Sequence, residues 1–231
     1  MKIDTFDVEI WMNQWENKCE INLAETCVES LTVNELLEIS GLNESDLSSL
    51  LPLKMTYGAI KGSERLRNAI SALYDKQGNK NILVTHGTIG ANMLVHKTLV
   101  EAKDRVISIV PTYQQHYSIP KSIGAEMDLL LLREDMGWLP DLDELKKKVS
   151  SGAKLIALTN PNNPTGALIT ENILEKIVSI ARDVGAWILC DEVYRGTDQH
   201  GKGMTTSIVD IYEKGISTAG MSKAFSLAGL R

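Results

Sequence analysis

From residue 81 onward, short apolar runs alternate with longer stretches in which apolar residues recur at helical spacing. The short runs predict buried strands at 81–85, 105–110, 126–132, 155–159, 186–190 and near 216–218. The stretches between them predict helices from about 88, over 113–123, from Asp141 to about Val149, and from Thr170 to Gly185. Strands that alternate with helices indicate an α/β fold, a mostly parallel sheet with helices on both faces.

The first 45 residues do not join this alternation. Within them, Thr32 and Glu35 have the spacing of a capping box and predict a short helix that ends near Ile39. We therefore divide the chain into residues 1–45 and an α/β domain over residues 46–231.

Composition narrows the class of protein. The chain has 231 residues, is 43% hydrophobic and carries a formal charge of −6, which is typical of a globular protein. The acidic balance gives no basic footprint for nucleic acid, and no apolar run is long enough to cross a membrane. Residues 1–4 lack the apolar core of a signal peptide, so a cytoplasmic location is expected.

Cysteine and histidine residues give no sign of a metal site. The three cysteines show neither metal-ligand spacing nor an even-numbered disulfide framework. The four histidines are scattered, and we expect no metal. They are His86, His96, His116 and His200.

Residues 222–231 read Ser-Lys-Ala-Phe-Ser-Leu-Ala-Gly-Leu-Arg and hold the most informative lysine, Lys223. A lysine amine can form an imine with an aldehyde cofactor, while the Ser222 hydroxyl and the Arg231 guanidinium suit a phosphate. Taken alone, a loop lysine is more often a solvated surface charge.

Three upstream segments change that interpretation. Residues 160–166, Asn-Pro-Asn-Asn-Pro-Thr-Gly, follow an apolar run and form a rigid turn that can aim an asparagine amide. Asp191 ends another apolar run, where open α/β sheets place their ligands, although a helix cap would also explain it. Residues 85–91, Thr-His-Gly-Thr-Ile-Gly-Ala, open a helix with small residues that suit a phosphate.

In order and spacing, these segments together resemble the fold-type I pyridoxal-phosphate enzymes, specifically the class I/II aminotransferase family. The resemblance runs from about Tyr57 to Arg231. It implies that residues 46–231 are the cofactor-binding large domain, incomplete at its C-terminus. Residues 1–45 would then be the N-terminal arm and part of the small domain, and the C-terminal small domain would be absent.

The resemblance also implies roles around the cofactor ring. Lys223 would form the internal aldimine with pyridoxal 5′-phosphate and then move the substrate proton. Asp191 would pair with the pyridine nitrogen, and Asn163 and Tyr194 would bond the phenolic oxygen. Tyr113 would stack on the ring face, although an ordinary half-buried loop tyrosine is the alternative.

Phosphate binding follows from the same resemblance. It is assigned to Gly87, Thr88, Ile89, Ser222 and Arg231. Tyr57 resembles the tyrosine that reaches the phosphate of a neighbouring subunit, which implies a homodimer with a shared active site. Gly220 departs from the family, because many relatives carry a phosphate-binding serine there. We therefore expect one hydroxyl fewer at this phosphate site.

The expected reaction is transfer of an amino group between an amino acid and a 2-oxo acid. A C–S or β-lyase, or a cyclising enzyme on the same scaffold, is the alternative reaction. Since relatives continue beyond the arginine at 231, the chain is expected to be a piece of a longer enzyme. A catalytically silent remnant is the other interpretation.

Overall fold

The computed structural model describes residues 2–197 and 203–230, and its centre is a parallel sheet of five strands within that part of the chain. In sheet order the strands run β2-β1-β3-β4-β5, each parallel to its neighbour. Their bounds are β1 Arg105–Val110, β2 Glu126–Leu131, β3 Leu155–Thr159, β4 Trp187–Asp191 and β5 Gly215–Thr218. The predicted strands at these five places and their parallel arrangement are confirmed.

Helices precede the sheet and connect its strands. Their bounds are α1 Asp7–Trp15, α2 Val33–Ile39, α3 Glu64–Ser71, α4 Gly87–Leu99, α5 Gln115–Ile123, α6 Leu142–Val149, α7 Glu171–Val184 and α8 Ile208–Ile211. Short 3₁₀ segments lie at Glu44–Leu50, Asn79–Asn81 and Glu134–Met136. None of the helices in the described ranges is both long and apolar enough to cross a membrane.

Alternate strand residues bury apolar side chains on opposite faces of the sheet. Ile107, Ile156 and Ile188 point to the face that α6, α7 and α8 cover. Val106, Leu155 and Leu189 point to the other face and pack beside residues of α4 and α5. Since all six side chains are inaccessible to solvent, each contributes roughly 1.5–3 kcal/mol through burial. The prediction of helices on both faces is confirmed.

Helix ends follow their sequence signals. The Thr32 hydroxyl accepts from the Glu35 amide at 3.2 Å, and the Glu35 carboxylate accepts from the Thr32 amide at 2.7 Å, so the predicted capping box is present. Asp141 caps α6 through the amides of Asp143 and Glu144. Gly185 ends α7 with φ +70°, a backbone conformation that glycine adopts without strain.

The predicted strand at 81–85 is wrong. The chain there leaves the Asn79–Asn81 turn in an extended form that pairs with no strand among the described residues. The Val84 amide instead donates to the Lys61 carbonyl at 3.0 Å. The apolar run predicted burial in part, since Ile82 and Val84 are half-buried. A strand, however, also requires a neighbouring strand with which its backbone forms hydrogen bonds.

Candidate active site

The segments after β1, β3 and β4 meet at the carboxyl edge of the sheet. The strand order reverses between β1 and β3, and in open α/β sheets such a point forms the ligand crevice. Two contacts join the loops there. The hydroxyls of Thr112 and Thr159 lie 2.8 Å apart, and the Asn162 amide nitrogen donates to the Pro111 carbonyl at 3.2 Å.

The turn at residues 160–166 places Asn163 against Tyr194. Asn160 fixes one side of the turn, because its side chain exchanges two hydrogen bonds with the Ile169 backbone, at 2.9 and 3.1 Å. Asn162 holds the inside of the turn by accepting from the Thr165 hydroxyl at 2.8 Å. The Asn163 amide is then directed outward and donates to the Tyr194 hydroxyl at 3.2 Å.

Asp191 is a buried carboxylate with three donors around it and an exposed fraction of 4%. Its Oδ2 accepts from Asn92 Nδ2 at 2.9 Å and from His116 Nε2 at 3.2 Å. Its Oδ1 accepts from the Val193 amide at 3.1 Å, so it also stabilises the turn that follows β4. Asn92 is itself held by the Thr218 hydroxyl at 2.6 Å. These bonds fix the orientation of the carboxylate at the edge of the sheet.

A second histidine lies behind this network. The rings of His96 and His116 meet edge to face with centroids 5.8 Å apart, and neither side chain is accessible to solvent. Burial, with a smaller contribution from His116, lowers the pKa of His96 from 6.5 to about 3. Both ring nitrogens of His96 lack a hydrogen-bond partner among the described residues.

The lowered pKa of His96 predicts a pH-dependent stability. Between about pH 3 and pH 6.5 the unfolded chain binds a proton here and the folded chain does not. The contribution of His96 to the free energy of unfolding should therefore have its full value above pH 6.5. Below pH 6.5 it should fall by up to about 1.4 kcal/mol per pH unit. In urea unfolding over this range, His96→Leu should flatten the slope, whereas exposed His86→Leu should keep it. Equal slopes for both variants would contradict the assignment.

Lys223 is half-buried on the loop after β5. Its Nζ donates to Cys27 Sγ at 3.0 Å and to Thr26 Oγ1 at 3.2 Å, and it lies 3.9 Å from Glu25 Oε1. Burial acts to lower the pKa of Lys223, but its contacts with Cys27, Tyr194 and Glu25 outweigh burial and raise the pKa. The Tyr194 hydroxyl donates to the same Thr26 oxygen at 3.0 Å. One threonine thus joins the lysine to the Asn163–Tyr194 pair.

The N-terminus of α4 forms a cradle opposite the loop of Lys223. No side chain caps this 13-residue helix, so its first amides and the positive end of its dipole suit an anion. A Cβ at Gly220 would lie 2.6 Å from the Thr88 hydroxyl oxygen. The Thr88 hydroxyl therefore fills the space that a side chain at 220 would need, and the chain retains a hydroxyl at this point.

Gly220→Ala should accordingly disturb the cradle. The added methyl group must displace the Thr88 hydroxyl, and a hydrogen bond to a charged group contributes about 1.5–3 kcal/mol. We expect the dissociation constant for a phosphate-bearing ligand to rise by roughly tenfold or more, measured by equilibrium dialysis with pyridoxal phosphate. Gly229→Ala is the matched control, because no atom lies within 4 Å of its added Cβ.

A rescue variant separates loss of the hydroxyl from general damage to the loop. Gly220→Ser alone should bind weakly, since its Cβ meets the same oxygen. Combined with Thr88→Ala, it should recover binding, because the hydroxyl then reaches the cradle from the opposite side. Weak binding by the double variant together with full binding by Gly220→Ala would contradict this account of the cradle.

Tyr113 connects the site to α1. Its hydroxyl donates to Glu9 Oε1 at 3.0 Å, and its ring meets that of Phe6 edge to face at 5.6 Å. Burial, and then the hydrogen bond to Glu9, raise the pKa of the Tyr113 phenol. Gln114, the next residue, adds a second contact with the N-terminal segment, since its side chain donates to the Thr5 carbonyl at 2.7 Å.

The other predicted site residues that the structure describes range from half-buried to fully exposed. Gly87 and Ile89 are in the first turn of α4, and Ser222 is half-buried beside Lys223. Tyr57 is fully exposed, and Arg231 lies outside the described residues. Sequence reasoning missed the residues that hold the predicted ones in place, which are Glu9, Glu25, Thr26, Cys27, Asn92 and His116. Of these, only Asn92 carried a signal, as a polar residue within a largely apolar helix.

A buried aspartate, a half-buried lysine and an uncapped helix N-terminus lie at one sheet edge, an arrangement that suits an aldehyde cofactor that bears a phosphate. The family described as aminotransferase class I and II has a model that matches residues 52–231. The chain therefore belongs to the class I and II aminotransferases, whose cofactor is pyridoxal phosphate.

Individual relatives agree with this family. Glutamate-pyruvate aminotransferase AlaA from Haemophilus influenzae is 29% identical over 80% of this chain and 48% of its own length. Capreomycidine synthase from Streptomyces vinaceus is 26% identical over 97% of this chain and 57% of its own. The chain thus spans about half the length of the curated relatives it matches.

A solved structure confirms the predicted fold. A PLP-dependent aminotransferase from Streptococcus suis is 44% identical to this chain and superposes with a TM-score of 0.94. The match covers 100% of this chain and 61% of that one. The fold is therefore that of the large domain of fold-type I pyridoxal-phosphate enzymes.

Proposed function

We propose that this protein is a pyridoxal-phosphate-dependent aminotransferase that moves an amino group between an amino acid and a 2-oxo acid. One observation carries the proposal. Lys223, Tyr194 and Asn163, from three separate loops, form one chain of hydrogen bonds through Thr26. Membership of the aminotransferase family and the names of AlaA and the Streptococcus suis enzyme support it.

The residues fit the cofactor in three places. When bound, pyridoxal phosphate supplies a carbonyl that reacts with amines and a ring that accepts electrons from the carbon atom to be deprotonated. The Thr88 hydroxyl, the first amides of α4 and Ser222 would hold the phosphate, with Arg231 and the backbone at Gly87 and Ile89. Asn163 and Tyr194 would bond the ring oxygen, and Tyr113 would cover the ring face.

Asp191 and Lys223 would perform the proton chemistry. Asp191 is oriented by Asn92 and His116, so its carboxylate would keep the ring nitrogen protonated. Lys223 would hold the cofactor and then carry the proton at its Nζ, which requires the amine to lose its own proton first. Segment 25–27 lies against this amine and would shield one side of it from water.

The proposal includes a homodimer with a shared active site. Tyr57 is fully exposed, and apolar residues close to it are also exposed, among them Leu51, Met55 and Ile60. A second copy would cover them, and Tyr57 would reach its phosphate. Residues 1–45 would be the N-terminal arm and part of the small domain. We expect light scattering to give twice the chain mass and Met55→Lys to reduce it; a monomeric wild-type chain would contradict the dimer.

A cytoplasmic location is also part of the proposal. It is supported by the free thiols of Cys19, Cys27 and Cys190, which are typical of proteins in a reducing compartment.

A cyclising reaction is the second candidate. The likeness to capreomycidine synthase covers 97% of this chain and that to AlaA covers 80%. Thr26 belongs to the arm and contacts Lys223, so an arm residue reaches the proposed catalytic lysine.

One experiment separates the two reactions. The protein is incubated with pyridoxal phosphate and a panel of amino acids, and the cofactor and products are then identified by mass spectrometry. Transamination yields pyridoxamine phosphate and the matching 2-oxo acid. Recovery of unchanged pyridoxal phosphate together with a cyclised or cleaved amino acid would overturn transamination. Lys223→Met is the control for spontaneous reaction in solution.

A further inference from the structure

Cys27 is a second nucleophile beside Lys223, and the proposed reaction does not use it. Its Sγ lies 3.0 Å from Lys223 Nζ. Local bonds fix the segment, because the amides of Thr26 and Cys27 both donate to Glu25 Oε1, at 2.8 and 3.0 Å. Glu25 therefore fixes the segment that brings the sulfur into contact with the nitrogen.

The other cysteines are in different surroundings. Cys190 is completely buried in β4, and burial raises the pKa of its thiol. Cys19 is exposed, and its Sγ lies 3.7 Å from the Glu16 carbonyl oxygen. Cys27 is half-buried and lies beside a cationic amine, which is the setting of reactive thiols. Small oxidants can reach it, since both it and Lys223 are partly exposed.

We propose that Cys27 and Lys223 form a reversible oxidative cross-link, a covalent bond between Sγ and Nζ. A peroxide first oxidises the Cys27 thiol to a sulfenic acid and is itself reduced to water or an alcohol. The Lys223 ammonium then loses a proton to the solvent, and the resulting amine attacks the sulfur. An S–N bond forms, and the sulfenic oxygen leaves as water. The protein loses two hydrogen atoms in total. A thiol reductant reverses the step by returning the two hydrogens.

The consequence concerns the cofactor and rests on the proposed function. A Lys223 amine bonded to sulfur cannot bond to an aldehyde, so the cross-link would keep the oxidised chain free of covalently attached pyridoxal phosphate. Bound cofactor would in turn protect the amine. The cross-link is thus a modification site that responds to peroxide in the cofactor-free protein.

The test is peptide mapping of cofactor-free protein treated with hydrogen peroxide, without added reductant. The expected product is a peptide pair joining Cys27 to Lys223, two hydrogens lighter than the sum of its parts and separated by dithiothreitol. Cys27→Ser should lose the pair and Cys19→Ser should retain it. In Lys223→Met, the sulfenic acid should persist at Cys27 and be trapped by dimedone. Circular dichroism shows that each variant is folded.

A separate measurement keeps the cross-link distinct from the proposed function. Peroxide-treated protein is offered pyridoxal phosphate and borohydride, before and after dithiothreitol. Attachment should fall to the background of Lys223→Met and return after reduction. An intact Lys223 peptide with Cys27 as sulfinic acid, or in a disulfide with Cys19, would overturn the proposal. Failure of the untreated protein to attach cofactor would count only against the proposed function.

Discussion

Replacing Lys223 by methionine is expected to abolish covalent attachment of pyridoxal phosphate completely. The variant keeps the volume of the side chain but has no amine, while the α4 cradle and the Asn163–Tyr194 pair remain. It should therefore still bind the cofactor reversibly. Borohydride reduction followed by intact-mass measurement reports covalent attachment, and equilibrium dialysis reports the reversible binding.

Lys97→Met is the control for this substitution. Lys97 lies in the last turn of α4, is exposed and is remote in sequence from the loop of Lys223. It should attach cofactor as the unmodified chain does. Borohydride-stable attachment to Lys223→Met at the level of Lys97→Met would contradict the role of Lys223.

Asp191→Ala should leave attachment intact but slow removal of the proton from the amino acid by about 10²–10³-fold. Without this carboxylate, Asn92 Nδ2 and His116 Nε2 lose the acceptor oxygen that they share, and the proposed partner of the ring nitrogen is gone. The rate is measured as loss of deuterium from the Cα of a labelled amino acid. Asp183→Ala, an exposed carboxylate on α7, should retain the original rate.

The substitution also has a structural cost that must be measured alongside. Two buried donors lose their acceptor, and each unsatisfied group costs about 1–3 kcal/mol. Asp191→Asn keeps the shape of the side chain and one acceptor oxygen, so it should be more stable than Asp191→Ala. It should still remove the proton from the amino acid slowly. Exchange at the original rate in a folded Asp191→Asn variant would contradict the proposed role of the carboxylate.

Several parts of the fold were predictable because their signals are local. The runs at β1, β3 and β4 are largely apolar and buried on both sides, and Gly185 ends α7 with a φ of +70°. Residues 81–85 have the same apolar signal as β1. They were misassigned because strand pairing depends on a neighbour that the run itself does not encode.

The candidate site likewise contains residues that local motifs predict and residues that only long-range contacts bring together. Lys223, Asp191 and Asn163 stand in motifs that resemble a known family, so their positions were predicted, and their roles remain predictions. Asn92 contacts Asp191 across 99 residues, and Thr26 contacts Lys223 across 197. No periodicity or motif connects positions so far apart, and only the folded chain brings them together.

Gly220 departs from the family pattern at the candidate phosphate site. From the sequence, glycine at this position predicted the loss of one phosphate-binding hydroxyl. The structure places the Thr88 oxygen 2.6 Å from the position of the missing Cβ, so the two positions cannot both carry a side chain without a shift. The Gly220 variants therefore test whether binding requires a hydroxyl in this space, whichever of the two positions supplies it.

The most direct test of the central claim is peptide mapping of the unmodified chain after incubation with pyridoxal phosphate and reduction with borohydride. We expect a single adduct, on the peptide that contains Lys223, because this amine lies beside the Thr26–Tyr194–Asn163 chain, on the loop whose Gly220 faces Thr88 of the α4 cradle. Absence of an adduct, or adducts spread over exposed lysines such as Lys97 with none preferred, would contradict it.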